Sequence, residues 1–488
     1  MILTDEILLQ YKRCRRKAFL NFYGAKEDKP PEKDFVGKLK QEKITHNLNI
    51  LKHYSLTCEI PKTPRKNQSL LREETLSLMK KGVNCIYGGQ LSEVVDGSVF
   101  IISPTLLIKQ ENSSNLGDWS YITVNGYLGK NHKPEYKLIA AFQAFVLGKI
   151  QGLMPLSGDF ILRSFKRYQV NLRLWLPRVE QTIAELQQLF YFPQEPEVFI
   201  SRQKCSLCEW YDQCHAIAVE QNHLSLIPGI TPKKYSQLTE EGIKDFESLS
   251  QLSLEKLHKL IDHENSTILY KQIQSLQLNQ PIKKREDIAP IPSSNIELYF
   301  DIEAEPERNV DYLLGVILVD YEKNKQEYYG FLAENLEEEK IIWEQFLKLI
   351  NSHSSAFIYH FSEYEVETIK RLARIYETPQ HTLQPILKRF VDIHKFVTQN
   401  YLLPVESYSL KSLGSYLEFK WRNPETGKKI SGHNSLGGDQ CVVWYDRWLA
   451  TGDRTYLKYI LTYNEDDCLA TFEVKKWLKS QQLTILRN

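Results

Sequence analysis

The stretch Ile296-Glu-Leu-Tyr-Phe-Asp301-Ile-Glu303 decides the fold of the carboxyl-terminal part of the chain. It is rich in β-branched and aromatic residues and follows a proline-rich turn, which predicts a β-strand. Asp301 and Glu303 are two residues apart, so they point to the same face of that strand. Adjacent carboxylates repel each other unless a cation lies between them, and Mg²⁺ and Mn²⁺ prefer oxygen ligands. Alone, the pair is weak evidence, and a solvated strand end is its more usual explanation.

The residues downstream predict a β-meander and then alternating helices and strands. We expect strands at Leu313–Val319, Glu327–Phe331 and Ala356–His360, and helices at about 337–350 and 455–478. A further helix opens within His360–Glu365 and runs to about Tyr376. Glu365 then lies in the first turn of its helix, where a carboxylate is electrostatically favoured. Tyr463 and Asp467 are spaced i, i+4, so they share one face of the last helix.

Three segments together resemble the motifs of DnaQ-like 3′–5′ exonucleases of the DEDD group, in its tyrosine variant: Asp301-x-Glu303, His360-x-x-x-Tyr364-Glu365 and Tyr463-x-x-x-Asp467. Glu365 stands where that family usually has Asp, and His360 where it often has Asn. The resemblance implies a ribonuclease H-like fold and two-metal hydrolysis of phosphodiester bonds. It implies that two Mg²⁺ or Mn²⁺ ions, about 4 Å apart, are held by four acids. These acids are Asp301, Glu303, Glu365 and Asp467, and Tyr463 would orient or help deprotonate the attacking water.

Two more segments resemble a RecB-like nuclease family that fuses two nuclease folds. They are Arg389-Phe-Val-Asp392-Ile-His-Lys395 and Tyr408-Ser409-Leu-Lys411-Ser-Leu413. The resemblance implies that Ser409 and Lys411 contact a phosphate of the cleaved strand. An ordinary surface lysine is the competing interpretation of Lys411.

The composition is that of a globular protein with several domains. The 488 residues correspond to roughly three domains of about 150 residues each. The net charge is +1, but residues 1–290 carry a balance of +7 and residues 291–488 one of −6. A basic half suits nucleic acid, although ordinary surface variation explains so small a value equally well. There is no apolar run of about 18 residues, and the basic cluster at the start follows the apolar stretch, so we expect a cytoplasmic protein that does not span a membrane.

The cysteines in Cys205-x2-Cys208-x5-Cys214 have a spacing that suits one metal centre. Cys14 is the natural fourth ligand, since its flanking cations favour the thiolate. An early lone cysteine with this late cluster resembles the iron–sulfur nucleases of the RecB-like class, which implies a [4Fe–4S] cluster. Zn²⁺ is the alternative, and unliganded thiols are a third. The other cysteines show no ligand spacing and are expected to be packing residues: Cys58, Cys85, Cys441 and Cys468.

The amino-terminal part resembles that RecB-like class but lacks its acidic site. Thr105 stands where the class has its first acid. Asn125 and Tyr127 stand where it has the acid and the lysine of an Asp-x-Lys pair, and Gln143 follows on a predicted helix. Asn and Thr are poorer ligands for a hard cation, so we expect an inactive nuclease fold that binds DNA or a partner. Lys130 or Asp118 taking over the lost roles is the alternative.

A helical segment at about 221–285 separates the two halves and resembles a helix-hairpin-helix unit, with Lys233 and Lys234 near a phosphate-binding turn. A plain helical spacer is the alternative. We therefore predict an α/β and α+β multidomain protein with three parts, 1–220 (RecB-like restriction-endonuclease-type fold), 221–290 (helical linker) and 291–488 (exonuclease). The predicted activity is a 3′–5′ exonuclease acting on DNA. The alternatives are an RNA exonuclease and a non-catalytic nucleic-acid-binding scaffold; protein partners are not predicted.

Overall fold

A computed structural model describes residues 1–25, 29–432 and 436–483. The chain divides into two compact units, Met1–Cys214 and His215–Asn488, each with mixed α/β structure. The predicted multidomain α/β and α+β class is therefore confirmed. Residues 221–290 fall in the same unit as the carboxyl-terminal part, and the predicted three-part division stays a prediction. In the described ranges, none of the helices has the length and apolar character needed to cross a bilayer.

The amino-terminal unit alternates helices with short strands. Its strands are β1 (Ile2–Thr4), β2 (Cys85–Tyr87), β3 (Leu91–Val95), β4 (Ser98–Ile102), β5 (Leu106–Gln110), β6 (Ser120–Gly126), β7 (Gly158–Ile161) and β8 (Arg167–Val170). Its helices are α1 (Asp5–Arg13), α2 (Arg15–Tyr23), α3 (Asp34–His53), α4 (Gln68–Lys80), α5 (Pro134–Gln151), α6 (Leu172–Tyr191), α7 (Arg202–Cys205) and α8 (Tyr211–Glu220), which continues past the division between the units.

The strand β6 is the centre of this unit. Among the described residues it lies inside a sheet of order β2-β5-β6-β7-β8, and all of its residues are buried. The apolar helix α5 packs against β6 and β7; it begins with Pro134 and ends at Gly152, whose φ of +69° suits a glycine after a helix. This packing sets Gln143 of α5 beside Asn125 of β6. The RecB-like description of the unit stays a prediction.

One expectation about the cysteines is wrong. Cys58 and Cys85 are joined in a disulfide, whereas their sequence positions indicated separate packing residues. The reason is tertiary: Glu59 pairs with Ile86 alongside β2, which brings the two cysteines together across 27 residues of sequence. That separation carries no recognisable spacing signal.

Short helices connect the amino-terminal unit to the carboxyl-terminal sheet: α9 (Pro232–Glu240), α10 (Phe246–Ser250), α11 (Leu254–Leu260) and α12 (His263–Leu278). Thr231 caps α9 by accepting a hydrogen bond from the backbone N–H of Lys234, and Pro232 occupies the first helical position. Gly229 and Gly242 have φ values of +88° and +81°, so both turns of the predicted hairpin have backbone that favours glycine. The predicted helical character of this segment is therefore confirmed, while its role in binding DNA is not tested by these contacts.

The carboxyl-terminal strands are β9 (Ile282–Lys283), β10 (Ile296–Glu305), β11 (Val310–Asp320), β12 (Lys325–Leu332), β13 (Phe357–His360), β14 (Phe390–Asp392), β15 (Tyr401–Leu402), β16 (Lys420–Arg422) and β17 (Lys429–Ser431). Within the described ranges the main sheet has the order β12-β11-β10-β13-β14. The meander β10-β11-β12 is antiparallel, and β13 and β14 add in parallel. The strands predicted here all form, and β10 lies at the centre.

The remaining helices are α13 (Glu339–Ser352), α14 (Glu363–Ile375), α15 (Gln380–Leu387), α16 (Ile393–Asn400), α17 (Leu410–Tyr416), α18 (Gly438–Thr451) and α19 (Thr455–Leu483). They cover both faces of the sheet, as alternation along β10 shows. Phe300 packs in one cluster with Trp343 and Phe346 of α13, while Tyr299 packs in another with Val474 of α19. The odd-numbered face of β10 therefore points towards α19, and this face carries Asp301 and Glu303.

Candidate active site

The acidic residues of β10 and α19 converge at the centre of the carboxyl-terminal unit. One carboxylate oxygen each from Asp301, Glu303 and Asp467 lies within 4.8 Å of the other two. Two of these side chains come from one strand face and the third from the helix that packs on that face. The convergence of residues separated by more than 160 positions in sequence makes this the candidate active site.

Neighbouring side chains hold two of these carboxylates in place. Asn464 donates from Nδ2 to Oδ2 of Asp301 at 2.8 Å. Oδ1 of Asp467 accepts two hydrogen bonds, one from Nε1 of Trp421 at 2.6 Å and one from Nζ of Lys411 at 2.8 Å. Both hydrogen bonds fall on Oδ1 of Asp467, and among the described residues no side chain donates to Oδ2, which is therefore available to a ligand.

Burial and mutual repulsion perturb the acids of the site. The pKa of Asp301 is raised well above its usual value, first by burial and then by the charges of Asp467, Glu303 and Glu365. Burial, followed by the charge of Asp467, likewise raises the pKa of Glu303. Lys411 opposes both shifts but does not cancel them. A divalent cation at this position would relieve the repulsion, and oxygen ligands suit Mg²⁺ or Mn²⁺.

Glu365, the fourth predicted acid, is near this group but outside the set of three. It lies in the first turn of α14, as expected, and is buried. Its Oε2 accepts a hydrogen bond from Oγ of Ser362 at 2.9 Å and lies 3.5 Å from Nδ1 of the buried His360. Its charge still acts on Asp301. Its assignment as a metal ligand remains a proposal.

Tyr463 faces the acids from the preceding turn of α19. Burial, and then the charges of Asp467 and Glu303, raise its pKa well above the usual value, so the phenol is neutral. The ammonium of Lys411 lies 4.4 Å from the centroid of its ring, and 4.5 Å from that of Trp421. Lys411 thus lies between two aromatic rings. It is therefore not a freely solvated surface lysine, which was the competing interpretation.

The other predicted positions near the site have structural partners. Ser409 caps α17 by accepting a hydrogen bond from the N–H of Ser412. Glu465 and Asp466, the two acids that directly precede Asp467 in sequence, both bind the guanidinium of Arg422, at 2.7 Å and 2.9 Å. They therefore point away from the group of three carboxylates, as helix geometry predicts.

The sequence interpretation missed three residues that touch these acids: Asn464, Trp421 and Cys441. The thiol of Cys441, expected to be a packing residue, is hydrogen-bonded to Glu303. Asn464 is spaced i, i+3 from Asp467, so helix periodicity could have identified it. Trp421 lies 46 residues before Asp467 on a different element, and no sequence signal connects the two.

Residues 298–479 match a family model described as the RNase_H superfamily. No curated protein matches the chain. The match covers β10 to α19 and includes all three clustered acids. It confirms the ribonuclease H-like part of the prediction: this segment is an RNase H-like domain.

Lys233 and Lys234, which were predicted to bind a phosphate, lie outside the RNase H-like domain, at the start of α9. Lys233 is exposed. The ammonium of Lys234 donates to the carbonyl oxygen of Gly229 at 3.1 Å and to Oδ1 of Asn265 at 2.9 Å. Lys234 therefore braces the turn before its own helix, and a role in nucleic-acid binding is not shown by these contacts.

In the amino-terminal unit the expected inactive site contains a hydrogen-bonded chain of side chains. Asn125 donates to Gln143 at 2.7 Å, and Gln143 donates to Asp5 at 2.8 Å. The hydroxyl of Thr105 accepts from the backbone N–H of Gly126, while Tyr127 stacks on Tyr136 with ring centroids 3.9 Å apart. Asp5, on the first turn of α1, was missed because an acid in a first helical turn has an ordinary explanation.

The four predicted cysteine ligands approach one another within the amino-terminal unit. Cys14 lies between α1 and α2, Cys205 ends α7, Cys208 follows it, and Cys214 lies in α8. Burial raises the pKa of Cys205 and of Cys214, and the charge of Cys14 raises both further. Each sulfur accepts a hydrogen bond, for example from the N–H of Lys17 to Cys14 and from that of Ser201 to Cys205. The arrangement fits a shared metal centre.

Proposed function

We propose that this protein is a metal-dependent 3′–5′ exonuclease that hydrolyses phosphodiester bonds of DNA. The observation that carries the proposal is the convergence of Asp301, Glu303 and Asp467 within 4.8 Å inside an RNase H-like domain. RNase H-like nucleases use divalent metals, and the acids of this site are oxygen donors with raised pKa values that a cation would neutralise.

Asp301, Glu303 and Asp467 would hold the divalent ions, with Glu365 completing the set from the side of Asp301. When bound, such ions supply Lewis-acid activation of a water and stabilise charge on the leaving oxygen. The protein itself contributes the fixed positions of the ligands. Asn464 orients Asp301, and Trp421 orients Asp467.

Tyr463 would position the attacking water as a hydrogen-bonding partner. Its raised pKa keeps the proton on the phenol, so orientation is the role that the site supports, rather than deprotonation of the water. Lys411 is a fixed cation next to Asp467 and would contact a phosphate of the cleaved strand.

The 3′–5′ direction and the preference for DNA rest on the resemblance of the three motifs to DEDD enzymes of the tyrosine type. Tyr463 and Asp467, four residues apart on α19, are the part of the pattern that distinguishes this type. An RNA 3′–5′ exonuclease is the alternative, because the same carboxylates act on either polymer.

We also propose that the amino-terminal unit is an inactive RecB-like domain that binds nucleic acid and carries a [4Fe–4S] cluster on Cys14, Cys205, Cys208 and Cys214. The charge of Cys14 acts on both Cys205 and Cys214, which supports one shared centre for these thiols. Zn²⁺ on the same four thiolates is the alternative.

The proposal is tested with a 5′-labelled single strand and Mn²⁺. The wild-type protein should shorten the strand stepwise, and Asp301→Ala should abolish this, whereas Asp287→Asn, at an exposed carboxylate outside the site, should not. Shortening of RNA but not DNA would establish the alternative substrate. If both polymers stay intact, the protein is a nucleic-acid-binding scaffold. Activity that survives Asp301→Ala but is lost with Lys130→Ala would place the chemistry in the amino-terminal unit.

A further inference from the structure

We propose that the hairpin β16–β17 binds the phosphates of the single nucleic-acid strand that enters the candidate active site. This inference rests on the proposed function and names the element that holds its substrate. The hairpin spans residues 420–431. It supplies none of the acids of the site and belongs to none of the three motifs that identified them.

The hairpin is fixed to the helix that carries Asp467. Nε1 of Trp421 donates to Asp467 at 2.6 Å, and Nε of Arg422 donates to Asp466 at 2.9 Å. A second nitrogen of Arg422 donates to Glu465 at 2.7 Å. Two consecutive residues of the hairpin therefore bind three consecutive acids of α19, which holds the hairpin beside the site.

Close packing around Trp421 makes this attachment rigid. The indole is 1% exposed. A Cβ atom added at Gly414 would lie 2.2 Å from the indole, and one at Gly432 would lie 2.8 Å from it. At Gly414 the indole fills the space that a side chain would take, and at Gly432 the backbone carbonyl of Lys411, 2.2 Å from the added Cβ, obstructs it as well.

The exposed part of the hairpin carries three lysines and one acid, Glu425, so its charge is net positive. Lys420, Lys428 and Lys429 are exposed, and across the described ranges none of their ammonium groups has a carboxylate partner. Three exposed lysines elsewhere in the same unit lie in ion pairs instead: Lys340 with Glu344, Lys370 with Glu367 and Lys476 with Glu473. The three hairpin lysines are thus free to bind an anion.

A polyanion fits this position because of the charges around it. The acids of the site repel phosphates, and the two cations nearest to them are already paired. Lys411 pairs with Asp467, and Arg422 pairs with Asp466 and Glu465, which point away from the site. Cations beside the site are needed to bring a strand towards the carboxylates. Glu303 and Asp467 are only 6% and 8% exposed, which favours a single strand over the wider duplex.

The experiment compares a triple variant, K420S/K428S/K429S, with a charge-matched control, K340S/K370S/K476S. Binding of 5′-fluorescein-labelled oligo(dT) and of oligo(U) is measured by anisotropy in EDTA at several salt concentrations, so hydrolysis plays no part. Each phosphate contact on a single strand contributes about 0.7 to the slope of log K against log salt, so the hairpin variant should bind at least tenfold more weakly with a slope smaller by about 2. The control should keep the wild-type affinity and slope.

The outcomes separate this inference from the proposed function. Equal slopes for the hairpin variant and the wild type, or an equal loss in the control, would overturn it, as would a wild type that binds neither oligonucleotide. Weakened binding by the hairpin variant supports it even if the wild type hydrolyses nothing, in which case the nuclease proposal alone fails. Weaker binding of the hairpin variant to oligo(dT), to oligo(U) or to both shows which polymer the hairpin binds. Mn²⁺ binding by the hairpin variant, measured by calorimetry, should equal that of the wild type and excludes a misfolded site.

Discussion

Asn464 donates a 2.8 Å hydrogen bond to Asp301 while its own Oδ1 accepts one, also at 2.8 Å, from the hydroxyl of Tyr328. Gly315 of β11 lies opposite Asp301 in the sheet, and a Cβ atom there would approach Oδ1 of Asn464 to 1.6 Å. The absence of a side chain at Gly315 is therefore what allows the amide of α19 to reach the carboxylate of β10.

Asn464→Ala should lower the rate of strand shortening by about tenfold or more, because Asp301 loses the donor that orients it. Gly315→Ala should have the same effect by displacing the amide. Asn400→Ala is a matched control, since it removes a buried amide of the same unit that donates to the carbonyl of Phe396, away from the acids. Rates are measured at equal fractions of folded protein. An equal loss of rate in Asn400→Ala would show that the effect is one of stability alone.

Trp421→Phe should raise the Mn²⁺ concentration for half-maximal activity by about tenfold or more, because the indole donates to Asp467 and phenylalanine cannot. Trp343→Phe removes an equally buried indole that donates to Thr378, and it should change stability but not the Mn²⁺ dependence. The measurement is a Mn²⁺ titration of the initial rate for both variants. A shift that is the same in both, or absent in Trp421→Phe, would contradict the positioning role.

The sequence predicted the parts of this site whose signal is local. Alternation in β10 placed Asp301 and Glu303 on one face, and helical spacing placed Tyr463 with Asp467. The contacts of Trp421 and Lys411 could not be predicted, because they depend on how a hairpin and α17 pack against α19. The disulfide between Cys58 and Cys85 could not be predicted for the same reason. It depends on the pairing of Glu59 with Ile86, and the spacing of the two cysteines in sequence does not indicate it.

Protein purified without oxygen should be brown and contain about four irons per chain if the thiols of Cys14, Cys205, Cys208 and Cys214 hold a [4Fe–4S] cluster. Cys208→Ser should lose the visible absorption and most of the iron. Cys468→Ser, at a buried cysteine of the other unit, should keep both. Iron analysis and the visible spectrum decide the matter. A colourless protein with one zinc per chain would refute the cluster.

The acids of the active site should make the metal-free protein less stable as the pH rises. The folded-state pKa of Asp301 is raised above its unfolded value of about 3.9, so the folded protein holds this proton more tightly. The proton on Asp301 therefore stabilises the folded state fully below pH about 4. This stabilisation is lost as the pH rises through the folded-state pKa of Asp301. In that range the loss is up to about 1.4 kcal/mol per pH unit for one group.

Asp301→Asn imitates the protonated acid, so it should match the wild type near pH 4 and exceed its melting temperature increasingly towards neutral pH in EDTA. Mn²⁺ should reverse the order at neutral pH, because it stabilises the wild-type carboxylate and gains less from the amide. Asp287→Asn, an exposed carboxylate, should follow the wild type throughout. Melting temperatures are measured from acid to neutral pH with EDTA or Mn²⁺. If Asp301→Asn and the wild type melt alike at every pH in EDTA, Asp301 carries no strain from its neighbours, and the electrostatic case for a cation at this site fails.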